Sequence, residues 1–273
     1  MEQAECDTCA DYVAAGRAAL GTRELRIGGG AALALPGESS ALWSRVVGLG
    51  FDEPVTVDLI ERVIDFYREQ KIASVMIQLA PQAEPASWPE ICASLNLRGD
   101  RAAWVKLAGF TPAVAERSRA VTRLDAALRV GTVPKERAEE WAAVMLRGMG
   151  RQDTRGAAMP AGTVGRQGWQ SFAVFEGSAI VATASLHVMG NVGHLFGGAT
   201  LPGARRRGAQ SALIAARAEA AEEAGCHWLI SEVVAEAQGE HNPSLHNLLR
   251  AGMTARYQRP NWTWSDPCAP RSR

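Results

Sequence analysis

Between Trp169 and Trp264 the sequence alternates strand-like and helix-like segments in an order few folds accommodate. "WQSFAVF", "AIVATASLHV" and "VGHLFGGAT" are strand-like, and the turns "EGS" and "MGN" separate them, which predicts an antiparallel meander. "SALIAARAEAAEEA" (211–224) predicts a helix that stops at Gly225, because it is rich in Ala, Leu and Glu and repeats apolar residues at Leu213, Ala216, Ala220 and Ala224. A short apolar strand, "HWLISEVV", follows. "NPSLHNLLRAG" then has Asn242 to cap a helix, Pro243 at its first position and Gly252 at its end, and "ARYQRPNWTW" predicts a last strand.

The first half offers the same order. "ALWSRVVGLG" precedes a helix ("VTVDLIERVIDFYREQ"), a strand ("IASVMIQLA"), a helix ("PEICASLNLRG") and a strand ("DRAAWVKLAG"). Setting Gly99 on Gly252, an offset of 153, also sets Ile77 on Ile230, Trp104 on Tyr257 and Lys106 on Arg259 without a gap. This register predicts an internal repeat and two α/β domains, 1–120 and 121–273.

The two copies differ where chemistry would sit. "GARRRGAQSAL" (203–213) puts three arginines on a short turn before a helix, in a chain whose 29 basic and 29 acidic residues cancel. Like charges so close repel unless an anion lies among them. The first turn of a helix supplies outward N–H groups and the positive end of a dipole, and a glycine lets the backbone approach a phosphate. At the same offset the first half has Asp52, Glu53 and Pro54, so the anion site is expected in the second half alone.

Composition narrows the rest. With 47% hydrophobic and 21% charged residues the chain is an ordinary globular protein, and zero net charge gives no field that would favour nucleic acid or an anionic membrane. No apolar run approaches the ~20 residues of a membrane span. The acidic start "MEQAECDTCADY" has no signal-peptide character, so a cytoplasmic location is expected. Five scattered cysteines fit reduced thiols. Cys6 and Cys9 make a C-x-x-C that reads as a chance spacing in a mobile N-terminus, with redox or metal use the alternative. His187, His194, His241 and His246 have no metal-ligand spacing and read as packing residues, so no metal is expected. Trp262 and Trp264 read as packing on one sheet face, and the tail "SDPCAPRSR" as disordered.

"TLPGARRRGAQ" resembles the pyrophosphate loop of the GNAT superfamily of acyl-CoA-dependent N-acyltransferases, written Arg/Gln-x-x-Gly-x-Gly/Ala. Pro202, Arg205 and Gly208 match, whereas Gln210 stands where Gly or Ala is usual. The order of elements and the helix "SLHNLLRAGM" are similar to the family's as well, so the whole resembles tandem GNAT proteins with a degenerate first half. The resemblance implies two mixed, largely antiparallel sheets flanked by helices, and acetyl-CoA or another acyl-CoA as donor to a small-molecule amine. Thr200 and Leu201 would pair with the pantetheine arm. The Arg205 side chain and the backbone amides of Arg206, Arg207, Gly208, Ala209, Gln210 and Ser211 would hold the pyrophosphate, with Ser244 and Asn247 on the cofactor side of the late helix.

Glu232, a charge inside an apolar strand, is the candidate general base, ahead of Glu236 and Glu240. Relatives commonly place an acidic Tyr where this chain has Leu248, which leaves Tyr257 or water to protonate the thiolate. A longer acyl-CoA or an aminoacyl-tRNA is an alternative donor, and a non-catalytic CoA sensor or scaffold is the non-enzyme alternative. A tandem chain would serve as a monomer or a homodimer.

Overall fold

A computed structural model of the chain describes residues 1–37, 43–151 and 155–267. In chain order it contains α1 (Glu2–Ala15), α2 (Arg17–Leu20), β1 (Arg23–Ile27), β2 (Gly30–Ala34), β3 (Arg45–Val47), α3 (Val57–Glu69), β4 (Ser74–Gln78), α4 (Trp88–Leu95) and β5 (Arg98–Phe110). There follow α5 (Thr111–Val121), β6 (Leu128–Thr132), α6 (Ala138–Gly148), α7 (Ala158–Thr163), β7 (Trp169–Glu176), β8 (Ala179–Met189), β9 (Val192–Thr200), α8 (Ala209–Glu223), β10 (Trp228–Val234), α9 (Pro243–Arg250) and β11 (Thr254–Ser265).

The repeat is visible in these elements. The series α3, β4, α4, β5 recurs as α8, β10, α9, β11, with α3 starting at Val57 and α8 at Ala209, 152 residues later, and β4 at Ser74 and β10 at Trp228, 154 later. The compact units, however, are 1–104 with 257–273, and 105–256. This corrects the division into 1–120 and 121–273, because β11, the end of the second repeat, pairs antiparallel with β4 of the first unit, and β5 enters the second unit at Val105 and lies beside β10.

In the first unit β1, β2 and β3 form an antiparallel meander, β3 pairs parallel with β4, and β4 pairs antiparallel with β11. Thr56 caps α3 by accepting from the Leu59 N–H, and the stripe Leu59, Ile60, Val63, Ile64 and Tyr67 is buried against Val46, Val75 and Ile77. Trp264 is buried in this core and Trp262 stands edge-on to Trp88, so both are packing residues as expected. The N-terminus is not mobile chain. It is α1, and Cys6 and Cys9 are fully buried on it. Glu2 and Glu5 are buried beside them, because the guanidinium of Arg259 on β11 donates to both carboxylates at 2.7 Å. Cys268 and the rest of 268–273 lie outside the described residues.

In the second unit β6, β7, β8 and β9 are successive antiparallel neighbours, and β9 pairs parallel with β10. The turns at Gly177 and Gly190 have positive φ, as the meander predicts. One sheet face packs on α5, α8 and α9 through Leu186, Leu195, Leu213, Ile214, Leu229 and Leu248. The other packs on α6, where Trp141 is wholly buried and donates to the Phe172 carbonyl at 2.8 Å.

Candidate functional site

The strands β9 and β10 share only three paired positions, Val192–Trp228, Gly193–Leu229 and His194–Ile230. Beyond them β9 also carries a bulge against β8. Thr183 faces Ala199 and Ser185 faces Phe196, so two glycines, Gly197 at φ 62° and Gly198, oppose the single residue Ala184. The buried Arg217 of α8 fastens the bulge, its Nη1 donating to the Ser185 and Phe196 carbonyls at 3.2 and 3.3 Å. Burial without a carboxylate pulls its pKa down to about 9.

After Thr200 the chain makes one turn of 3-10 helix (Pro202–Ala204), is extended at Arg205, and takes positive φ at Arg206 (61°) and Gly208 (81°). Gly208 is the N-cap of α8, and helical bonding begins with Ala212 donating to its carbonyl. The amides of Ala209, Gln210 and Ser211 therefore have no intrahelical acceptor. All three residues line a cavity of about 750 Å³, together with Gly148, Met149, Gly198, Thr200, Arg205, Arg206, Asn242, Ser244, Asn247 and Arg250.

Among the described residues its lining carries three arginines (205, 206 and 250) and no carboxylate. Arg205 is pre-positioned by long bonds to the carbonyls of Thr200 and Gly148, both 3.3 Å. Charged donors and open helix amides thus lie around one cavity, the combination an anion requires.

Two residues expected here are used otherwise. Arg207 turns away and pairs with Asp125 (2.9 Å) and Glu176 (2.8 Å), which relieves the repulsion within the arginine turn and holds the Asp125 carboxyl below its ordinary range. Leu201 donates its N–H to the Val181 carbonyl and packs its side chain against the core under α6. Gln210, the departure from the loop pattern, bridges two helices: its amide nitrogen donates to Ser244 Oγ at 2.6 Å and its oxygen accepts from the Asn247 amide. Gly148, Met149 and Arg250 were not foreseen. Gly148 has a legible reason, since a Cβ there would come within 2.9 Å of the Ala199 Cβ and 3.0 Å of the Thr200 nitrogen.

Glu232 lies on β10, past the last residue paired with β9, with its side chain 7% exposed. Lys106 of β5 donates to Oε1, and His194 Nε2 is 2.6 Å from Oε2. Lys106 and His194 are buried. His194 is thus more than a packing residue, and the sequence shows no sign of either partnership. Beside this group runs an aromatic file: His194 edge-on to Phe196, Phe196 edge-on to Trp169, and Trp169 stacked on His187 at 4.3 Å.

Tyr257 belongs to the first unit, where its hydroxyl donates to Glu2 at 2.6 Å. Burial and the Glu2 carboxylate raise its pKa well above the ordinary value, so the structure makes it a structural donor in α1's core rather than a lining residue of this cavity. Leu248 is buried in the core of the second unit.

Residues 139–252, which hold the whole cavity, match the family model described as the acetyltransferase (GNAT) family. They form a GNAT acetyltransferase domain. The full chain is similar in fold to a GCN5-related N-acetyltransferase from Kribbella flavida, with a TM-score of 0.60, 18% identity and 96% of each chain covered. It is also similar to a tandem GNAT protein from the clavulanic acid biosynthesis pathway, with a TM-score of 0.60 and 14% identity over 100% of this chain and 98% of that one. A conserved protein of unknown function from Staphylococcus epidermidis has a TM-score of 0.61 and 12% identity over 90% of this chain and 95% of that one. No curated protein matches the chain by sequence. The tandem reading of the repeat therefore stands, and the GNAT domain implies acyl transfer from an acyl-CoA. Among the described residues no helix is long and apolar enough to cross a membrane.

Proposed function

We propose that the GNAT domain acetylates the amine of a small molecule, with acetyl-CoA as donor. The observation that carries this reading is the cationic cavity at the start of α8, where three arginines, three open helix amides and, among the described residues, no carboxylate suit a pyrophosphate. Beyond His194 β9 no longer pairs with β10, and with Gly198 and Thr200 on the cavity wall this end of the strand suits an extended amide-bearing arm. When bound, acetyl-CoA supplies a thioester carbonyl as electrophile.

Glu232 is the group that takes the proton from the acceptor amine, through water. Lys106 and His194 hold its carboxylate in one orientation, and His194 offers a second basic site on the same relay. The aromatic file from His194 to His187 flanks this carboxylate and suits an acceptor with an apolar or planar body. Water protonates the departing thiolate, a weak demand for a thiol of ordinary pKa near 8.5.

A second reading, a CoA-binding scaffold without turnover, is favoured by one observation: both oxygens of Glu232 are already engaged. Release of free thiol from acetyl-CoA across a panel of small amines separates the two. The proposal expects turnover by the wild type and a fall in kcat of at least about a hundredfold in Glu232→Gln with acetyl-CoA affinity unchanged. Tight acetyl-CoA binding without turnover on any amine would support the scaffold instead.

A further inference from the structure

Glu236, His241 and His246 are drawn together in the GNAT domain by the segment between β10 and α9, and the acyl-transfer site uses none of them. Glu236 Oε1 is 2.8 Å from His246 Nε2 and 3.7 Å from His241 Nδ1. The two imidazoles lie side by side, with centroids 4.3 Å apart. One ligand atom from each of the three residues lies within 4.8 Å of the others. Tetrahedral zinc with bonds of 2.0–2.2 Å needs ligand atoms about 3.3–3.6 Å apart, so a pair at the 4.8 Å limit must close by about 1.2–1.5 Å while the Glu236–His246 pair, at 2.8 Å, opens by about 0.5–0.8 Å. His241, two-thirds exposed, has the freedom to make that movement.

The carboxylate is already aimed. Asn242, the cap of α9, donates its backbone N–H to Glu236 Oε1 and is itself held by its side chain, which donates to the Val234 carbonyl at 2.7 Å and accepts from the Ser244 N–H at 3.0 Å. Two imidazoles facing one carboxylate oxygen present two nitrogen ligands and one oxygen ligand, and solvent can fill a fourth position. This donor set suits borderline transition metals rather than calcium or magnesium, which take oxygen ligands.

We propose that Glu236, His241 and His246 form a binding site for a zinc-class divalent metal, which ties the 235–242 segment to α9. The Glu-x4-His-x4-His spacing spans a loop and a helix start, so it has no periodicity that a sequence reading would flag. Because Asn242, Ser244, Asn247 and Arg250 of the same stretch line the cavity, an occupied site would also steady that wall.

The test is titration of the purified, metal-free full chain with Co²⁺, read by its visible ligand-field absorption, and then displacement by Zn²⁺. The expected result is one equivalent of Co²⁺ with intense tetrahedral or five-coordinate bands, no thiolate charge-transfer band, and at least tenfold weaker binding in His241→Ala and in His246→Gln. Circular dichroism checks that both variants are folded, as expected since His241 is two-thirds exposed and His246 half-buried, with neither in the core. Absence of the bands, thiolate charge transfer, or affinity unchanged in the two variants would overturn the proposal. None of these readouts depends on acyl-CoA, so the metal site and the acyl-transfer reading fail separately.

Discussion

Replacing Gly208 with alanine tests whether the anion cavity depends on the backbone of the arginine turn. Gly208 has a φ of 81°, and a Cβ at this position would lie 1.9 Å from the Arg123 carbonyl oxygen and 3.0 Å from the Leu124 Cα. The first contact is about 1.5 Å short of the ordinary 3.4 Å. The obstruction is backbone, and it is tethered: Asp125 donates its N–H to the Arg207 carbonyl at 3.1 Å and accepts from the Arg207 guanidinium. Left-handed backbone costs an alanine about 1–2 kcal/mol, and overpacking adds about 1–3. Gly208→Ala should therefore lose about 3 kcal/mol in urea denaturation and bind acetyl-CoA at least tenfold more weakly, as the first-turn amides are displaced. Gly203→Ala is the control in the same loop, because a Cβ there meets nothing within 4 Å. It should stay within about 0.5 kcal/mol of the wild type. If the two variants are indistinguishable in stability and affinity, the reasoning about this turn is wrong.

Two further outcomes follow from buried groups. Burial pushes the Cys6 thiol up to about 12 and Cys92 up to about 11, raises Cys226 as well, and leaves Cys9 enclosed with Arg45 donating to its sulfur. At pH 8 a thiol of pKa 12 is about one part in ten thousand thiolate, so a disulfide reagent should label these four slowly until denaturant is added; rapid labelling of Cys6 in the native protein would contradict the packing of α1. Arg259→Met should cost about 3–5 kcal/mol, since the buried carboxylates of Glu2 and Glu5 lose their shared guanidinium, and a loss under 1 kcal/mol would show that the cluster does not hold α1.

What was legible in the sequence follows from the range of the interactions involved. The meander, α8, α9 and the repeat register rest on local signals: glycine turns, the Asn242 cap with Pro243, and apolar positions spaced for one face. The arginine turn could be read as an anion site because helix start, glycine and charge are contiguous. Long-range pairing was not legible. α1 looks like loose chain since its buried stripe holds Glu2 and Glu5, and partners more than 250 residues away, Arg259 for both and Tyr257 for Glu2, make that burial tolerable. Arg207 looks like its neighbours until Asp125 and Glu176 come near it. Glu232 stood out as a charge within an apolar strand, yet Lys106 and His194 reach it from two other strands. The exchange of the last strands between units has no local signature at all, since β5 and β11 carry the pattern of ordinary final strands.

The central claim is that the anion cavity of the GNAT domain binds acetyl-CoA through the turn at 205–211. Calorimetric titration of acetyl-CoA into the wild type and into an Arg205→Asp/Arg206→Glu variant, which copies the charges of the first repeat, tests it most directly. The account predicts one site per chain in the wild type and loss of binding in the variant, because two cations on the cavity wall become anions. Equal binding by both proteins, or none by the wild type, would contradict it.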